Sequence, residues 1–256
     1  MVERDHRGHV PVTAGRGGTW PTDGTVTEGW NAIDGAVVLD EGGNPWLAWG
    51  SAHDGLFVQR LGPDGALQVG SAPVNIARRP RFDQVVEAAN PVFHDGAWWL
   101  FASYDVCCSG VRSTYHVVVG RASSLTGPYV DRDGAPLLAD RSARPPTGGL
   151  ATTILTGYGD VIGPGHQYVF EDGGSWWIAH HWYDPSLDGA PRLGLRPLDW
   201  DVDGWPVVRG APLPASPPTT TSTMSVTAPV GPQPPAGGAT NAPAATPVAG
   251  TATYTG

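Results

Sequence analysis

The chain has 256 residues, of which 36 are glycine and 26 proline, and because both interrupt helices this share of about a quarter excludes a helical bundle or coiled coil. Hydrophobic residues at 40% and eleven tryptophans supply a sizeable core, unlike a disordered chain. All 15 basic residues are arginine, set against 24 acidic ones for a net charge of -9, which argues against a nucleic-acid partner, since phosphate binding wants a basic patch.

The opening residues, with Glu3, Arg4, Asp5 and Arg7, are too charged for the apolar segment of a signal peptide, and residues 1–29 read as an irregular N-terminal segment. No run of about 18 apolar residues marks a membrane span, so no membrane partner is expected. Between 30 and 209, short apolar stretches are punctuated by Gly, Asp, Asn and Pro without helical periodicity, which predicts an all-β domain. Three hairpins follow in order. The first is Ala36–Leu39, a turn over Asp40–Pro45, then Trp46–Trp49. The second is Val92–Gly96, then Ala97–Phe101; the third is Tyr168–Phe170, a turn over Glu171–Gly174, then Trp176–Ile178. Each is an apolar strand, an acidic-Gly turn and a Trp-led strand, and the step of 52 residues from Trp46 to Trp98 is about one four-stranded propeller blade. A loop around 139–157 lengthens the second interval. After Arg209 no charged side chain occurs, and the Pro/Thr/Ala-rich segment 210–256 reads as a disordered linker. A linker that ends the chain implies that one end is incomplete.

A polar motif precedes the first strand of each hairpin: Trp30-Asn-Ala-Ile-Asp34, Val86-Glu-Ala-Ala-Asn90 and Gly163-Pro-Gly-His166. Asp34, Glu87 and His166 stand 12, 11 and 10 residues ahead of their tryptophans, so they occupy corresponding positions in successive repeats. Corresponding ends of the innermost strands of a propeller converge on its channel, so two carboxyls and an imidazole are expected to meet there. Paired carboxyls in a cleft suit glycosidic hydrolysis, one protonating the leaving oxygen and the other acting on water or carbon. A neighbouring charge from Asp34 is one way to keep Glu87 protonated. His180-His181 cannot both face one way on a strand and form no zinc motif. His53-Asp54 follows the first Trp-led strand, where it either lines the cleft or decorates a turn. The adjacent Cys107-Cys108 reads as a buried small apolar pair in preference to an eight-membered disulfide ring.

These stretches, with Gly50-Ser51, Tyr104–Tyr115, Gly127–Gly134 and Arg196–Val207, resemble the arabinanases of glycoside hydrolase family 43, and are collinear with them over about 30–208. The resemblance implies a five-bladed β-propeller glycosidase domain, partial over 30–209 and N-terminally incomplete. It implies an inverting enzyme that cleaves α-1,5-L-arabinofuranosidic bonds of arabinan, with carboxyls about 6.5–9.5 Å apart. By the same resemblance Glu87 is the general acid, Asp34 modulates its pKa, His166 ligates a central calcium, and Asn31, Ser51 and His53 contact substrate. A monomer, extracellular in its full-length form, is the implied state. The family's general base is an Asp in a His-Asp-Pro-like strand; nothing in 1–29 matches it, and neither Asp5 nor Asp23 precedes an apolar strand. The alternative is therefore a non-catalytic carbohydrate-binding propeller or a decayed fragment.

Overall fold

The computed structural model describes residues 32–212. Asn31 and the segment 1–29 lie outside the described residues, as does all but the start of 210–256. Among the described residues twelve strands make three four-stranded antiparallel sheets, each a simple meander in chain order, which is the pattern of consecutive propeller blades. Sheet 1 runs β1 (Ala36–Leu39), β2 (Pro45–Trp49), β3 (Leu56–Arg60) and β4 (Val74–Ala77). Sheet 2 runs β5 (Val86–His94), β6 (Ala97–Tyr104), β7 (His116–Ala122) and β8 (Thr152–Leu155). Sheet 3 runs β9 (Ile162–Asp172), β10 (Ser175–Asp184), β11 (Ala190–Trp200) and β12 (Pro206–Val208). Among the described residues helix is confined to two single 3-10 turns, and none is long and apolar enough to cross a membrane.

The expected hairpins form, and local chemistry explains them. Asp95-Gly96 and Gly173-Gly174 both have positive φ at their two central residues, as a two-residue turn between twisted strands demands. The longer first turn is built on Asp40, whose carboxylate accepts from the Gly42 and Asn44 amides and from the Trp46 indole at 3.0 Å. Two of the leading strands run further than the sequence suggests. β5 begins with its polar motif at Val86 and β9 one residue before its own at Ile162, so Glu87 and His166 lie inside strands rather than ahead of them, whereas Asp34 does precede β1. The reason is a bulge in each: β5 shifts register between Glu87 and Asn90, and β9 between Ile162 and Tyr168. A bulge lets pairing resume while it re-aims a side chain.

The core follows strand periodicity. Along β6, buried throughout, Trp98, Leu100, Ala102 and Tyr104 pack with Ala48, Leu56 and Val58 of sheet 1. The alternate residues Ala97, Trp99 and Phe101 pack with Val169, Ile178 and Leu198 of sheet 3. Sheet 2 is thus apolar on both faces, and the first strands β1, β5 and β9 come side by side. At the end of sheet 3 the Arg209 amide still bonds the Pro197 carbonyl, and Ala211 packs on the core.

Candidate active site

The polar ends of the first strands are set by backbone that side-chain residues rarely adopt. Asp34, Ala88 and His166 have φ of 60°, 59° and 49°, one such residue at the start of each sheet. The left-handed residue of sheet 2 is therefore Ala88, not Glu87, and the repeat places Glu87 one residue earlier, on the opposite side of the bulge. Asp34 is tied down by its neighbour Ile33, whose carbonyl accepts from the Gly50 amide at 3.0 Å. Gly50 has φ of 121° and would place a Cβ 2.2 Å from the Gly55 carbonyl oxygen, so only glycine lets the chain turn there and present Ser51.

Four of the sequence-predicted residues meet. The Ser51 hydroxyl donates to Glu87 Oε2 at 2.6 Å, and the Tyr115 hydroxyl donates to Oε1 at 2.6 Å, so both carboxyl oxygens are held from opposite sides. His166 Nε2 stands 3.9 Å from Asp34 Oδ1. Burial raises the Asp34 pKa above its ordinary value, the Glu87 charge adds to the rise, and the His166 charge opposes it. Tyr115 is raised far above the usual phenol by burial and by the Glu87 charge, so it stays a donor at every working pH. Burial and the charges of His166 and His180 lower the His181 pKa, with Glu87 opposing, which favours the neutral imidazole.

Several residues of this site carry no mark in the sequence. Tyr115 comes from the loop before β7, and it can approach because β9 presents Gly165, where a Cβ would sit 2.1 Å from the Tyr115 ring. The His181 ring stacks on Tyr115 at 5.7 Å and lies nearly parallel to His166 at 6.4 Å, whereas His180 is buried in the core. Ser103, opposite Glu87 on β6, accepts from the His166 amide at 2.9 Å and donates to Gln167 Oε1 at 2.6 Å, which fixes sheet 3 against sheet 2.

The remaining expectations fare differently. His53 stacks on Phe82 at 4.5 Å and its carbonyl accepts from Arg141, in the loop that directly follows Ser51. Asn31 lies outside the described residues. Cys107 and Cys108 are not a buried thiol pair: they form a disulfide, with Cys107 half-buried and Cys108 exposed, because Cys108 takes up a left-handed backbone in a surface loop. Calcium favours six to eight oxygen ligands. Among the described residues no group of three His, Cys, Asp or Glu side chains is arranged to hold an ion. His166 and Asp34 alone do not fit it, and no step below runs through a metal.

Comparison with known proteins bears on this geometry. The extracellular endo-alpha-(1->5)-L-arabinanase 1 of Bacillus subtilis is 34% identical over 194 residues, covering 74% of this chain and 56% of the relative. The extracellular exo-alpha-(1->5)-L-arabinofuranosidase ArbA of Cellvibrio japonicus is 30% identical over 205 residues, covering 74% and 56%. Among solved structures, the Cellvibrio cellulosa alpha-L-arabinanase complexed with arabinohexaose superposes with a TM-score of 0.64 at 30% identity, covering 70% of this chain and 57% of the other. The chain thus spans a little over half the length of the curated relatives it matches. The family model described as Glycosyl hydrolases family 43 matches residues 2–206, further toward the N-terminus than the motifs alone reach, and the chain belongs to that family.

Proposed function

We propose that this chain carries the acid side of an arabinan-hydrolysing site, and that the natural protein cleaves α-1,5-L-arabinofuranosidic bonds with inversion. One observation carries the reading: Glu87 is gripped on both oxygens by hydroxyls, beside a second carboxyl and an imidazole. Glu87 donates its proton to the departing glycosidic oxygen as the bond to the anomeric carbon breaks. Ser51 and Tyr115 fix the direction of that transfer. Asp34 sets the charge beside the acid and, through His166, is oriented in the channel. The base that activates water belongs to no described residue assigned here. The three sheets are read as blades of a five-bladed propeller, and the named habitat of two relatives supports an extracellular enzyme.

The test is release of reducing ends from debranched linear arabinan by the chain and by Glu87→Gln, with the product anomer followed by NMR. Loss of about 10²–10⁴-fold in kcat in the variant, and inversion at the anomeric carbon, are expected. Release that persists in a folded Glu87→Gln variant, or retention at the anomeric carbon, would overturn the reading.

A further inference from the structure

A path of hydrogen bonds and one ring stacking leads away from Glu87 through His181 and Tyr183, which the reaction as described does not use. The Cys108 amide donates to the Tyr183 hydroxyl oxygen at 2.7 Å, and that hydroxyl lies 3.0 Å from His181 Nε2. The oxygen accepts from Cys108 and keeps one proton of its own, and the His181 tautomer sets which partner donates in the contact with Nε2. The His181 ring stacks on Tyr115, and Tyr115 holds Glu87. The outer end of the path is anchored as well. The loop bearing the disulfide rests on the turn after β10 backbone to backbone, where a Cβ on Gly189 would sit 2.8 Å from Gly110 Cα. The disulfide removes the freedom of the two residues whose backbone presents the Cys108 amide.

We infer that Tyr183 is a positioning residue for Glu87, acting through His181 and Tyr115, and that the Cys107–Cys108 disulfide holds Tyr183 in register. This rests on the assignment of Glu87 as the acid, but its geometry can be read without turnover. Tyr183→Phe keeps the ring and removes only the shared hydroxyl. A residue that orients the reacting group from outside the first layer of contacts is worth about tenfold or more. Tyr183→Phe is therefore expected to lower kcat on linear arabinan about tenfold with KM within about twofold.

Replacing both cysteines by serine should give a comparable loss, and combining the two changes should add little, since both cut the same path. The independent readout is the Glu87 carboxyl resonance in 13C-glutamate-labelled protein, assigned by its absence in Glu87→Gln. It should move in Tyr183→Phe and in the double serine variant alike. Additive losses in kcat, or an unmoved resonance in a variant whose circular dichroism is unchanged, would overturn the inference. If the wild-type chain turns over no arabinan, the resonance alone decides the positioning role. If Tyr183→Phe loses its fold, the double serine variant carries the same test.

Discussion

Asp34 combines a left-handed backbone, a half-buried carboxyl and two charged neighbours, and each has a consequence. Its pKa is raised in the folded chain, so the native state binds the proton more tightly than the unfolded one. The group therefore stabilises the fold below the ordinary Asp value of 3.8, and this contribution is lost as pH rises through the higher folded value. Asparagine cannot titrate and tolerates positive φ, so Asp34→Asn should melt above wild type near neutral pH and converge with it in acid, while activity falls. Thermal melts across pH, read against arabinan turnover, check both. Equal melting temperatures at all pH would mean that burial does not govern this carboxyl. Asp34, Glu87 and His166 could be picked out because each stands 10 to 12 residues ahead of a Trp-led strand, although Ala88, not Glu87, holds the position equivalent to the other two. Tyr115, His181 and Ser103 were not, because what qualifies them is a contact across sheets rather than any local pattern.

At the level of elements, turns and Trp-led strands could be read directly: Asp95-Gly96 and Gly173-Gly174 have one favourable conformation between strands, and Trp98 and Trp99 alternate to opposite faces. The starts of β5 and β9 could not, since a bulge breaks the period of two on which strand reading depends. The same irregular stretch of β9 gives Gly165 its weight. A methyl group there would collide with the buried Tyr115 ring that bonds to Glu87, so Gly165→Ala should cost about 1–3 kcal/mol of stability. It should also displace Tyr115, reducing kcat by more than the stability loss explains. A variant with normal kcat would show that the Tyr115 bond to Glu87 is dispensable.

For the molecule as a whole, β6 is the shared wall of two cores, so sheets 1 and 3 both depend on sheet 2. Trp98→Ala and Trp99→Ala empty opposite cores, yet each should cost about 3–5 kcal/mol and lower the melting temperature of one common transition. Two resolved calorimetric transitions, only one of them shifted, would show that the sheets unfold separately. The inner margins of these sheets raise a different matter. β5 and β9 are both edge strands, and an edge with free amides and carbonyls is a template on which another chain can add. Here two buried amide side chains occupy it: Asn90 Oδ1 accepts from the Val169 amide at 2.6 Å, and Gln167 Nε2 donates to the Ala88 carbonyl at 2.9 Å. These groups lie near Glu87 without bonding to it. They keep the margin from recruiting a second molecule, so Asn90→Ala should show itself in light scattering, as association that grows with protein concentration.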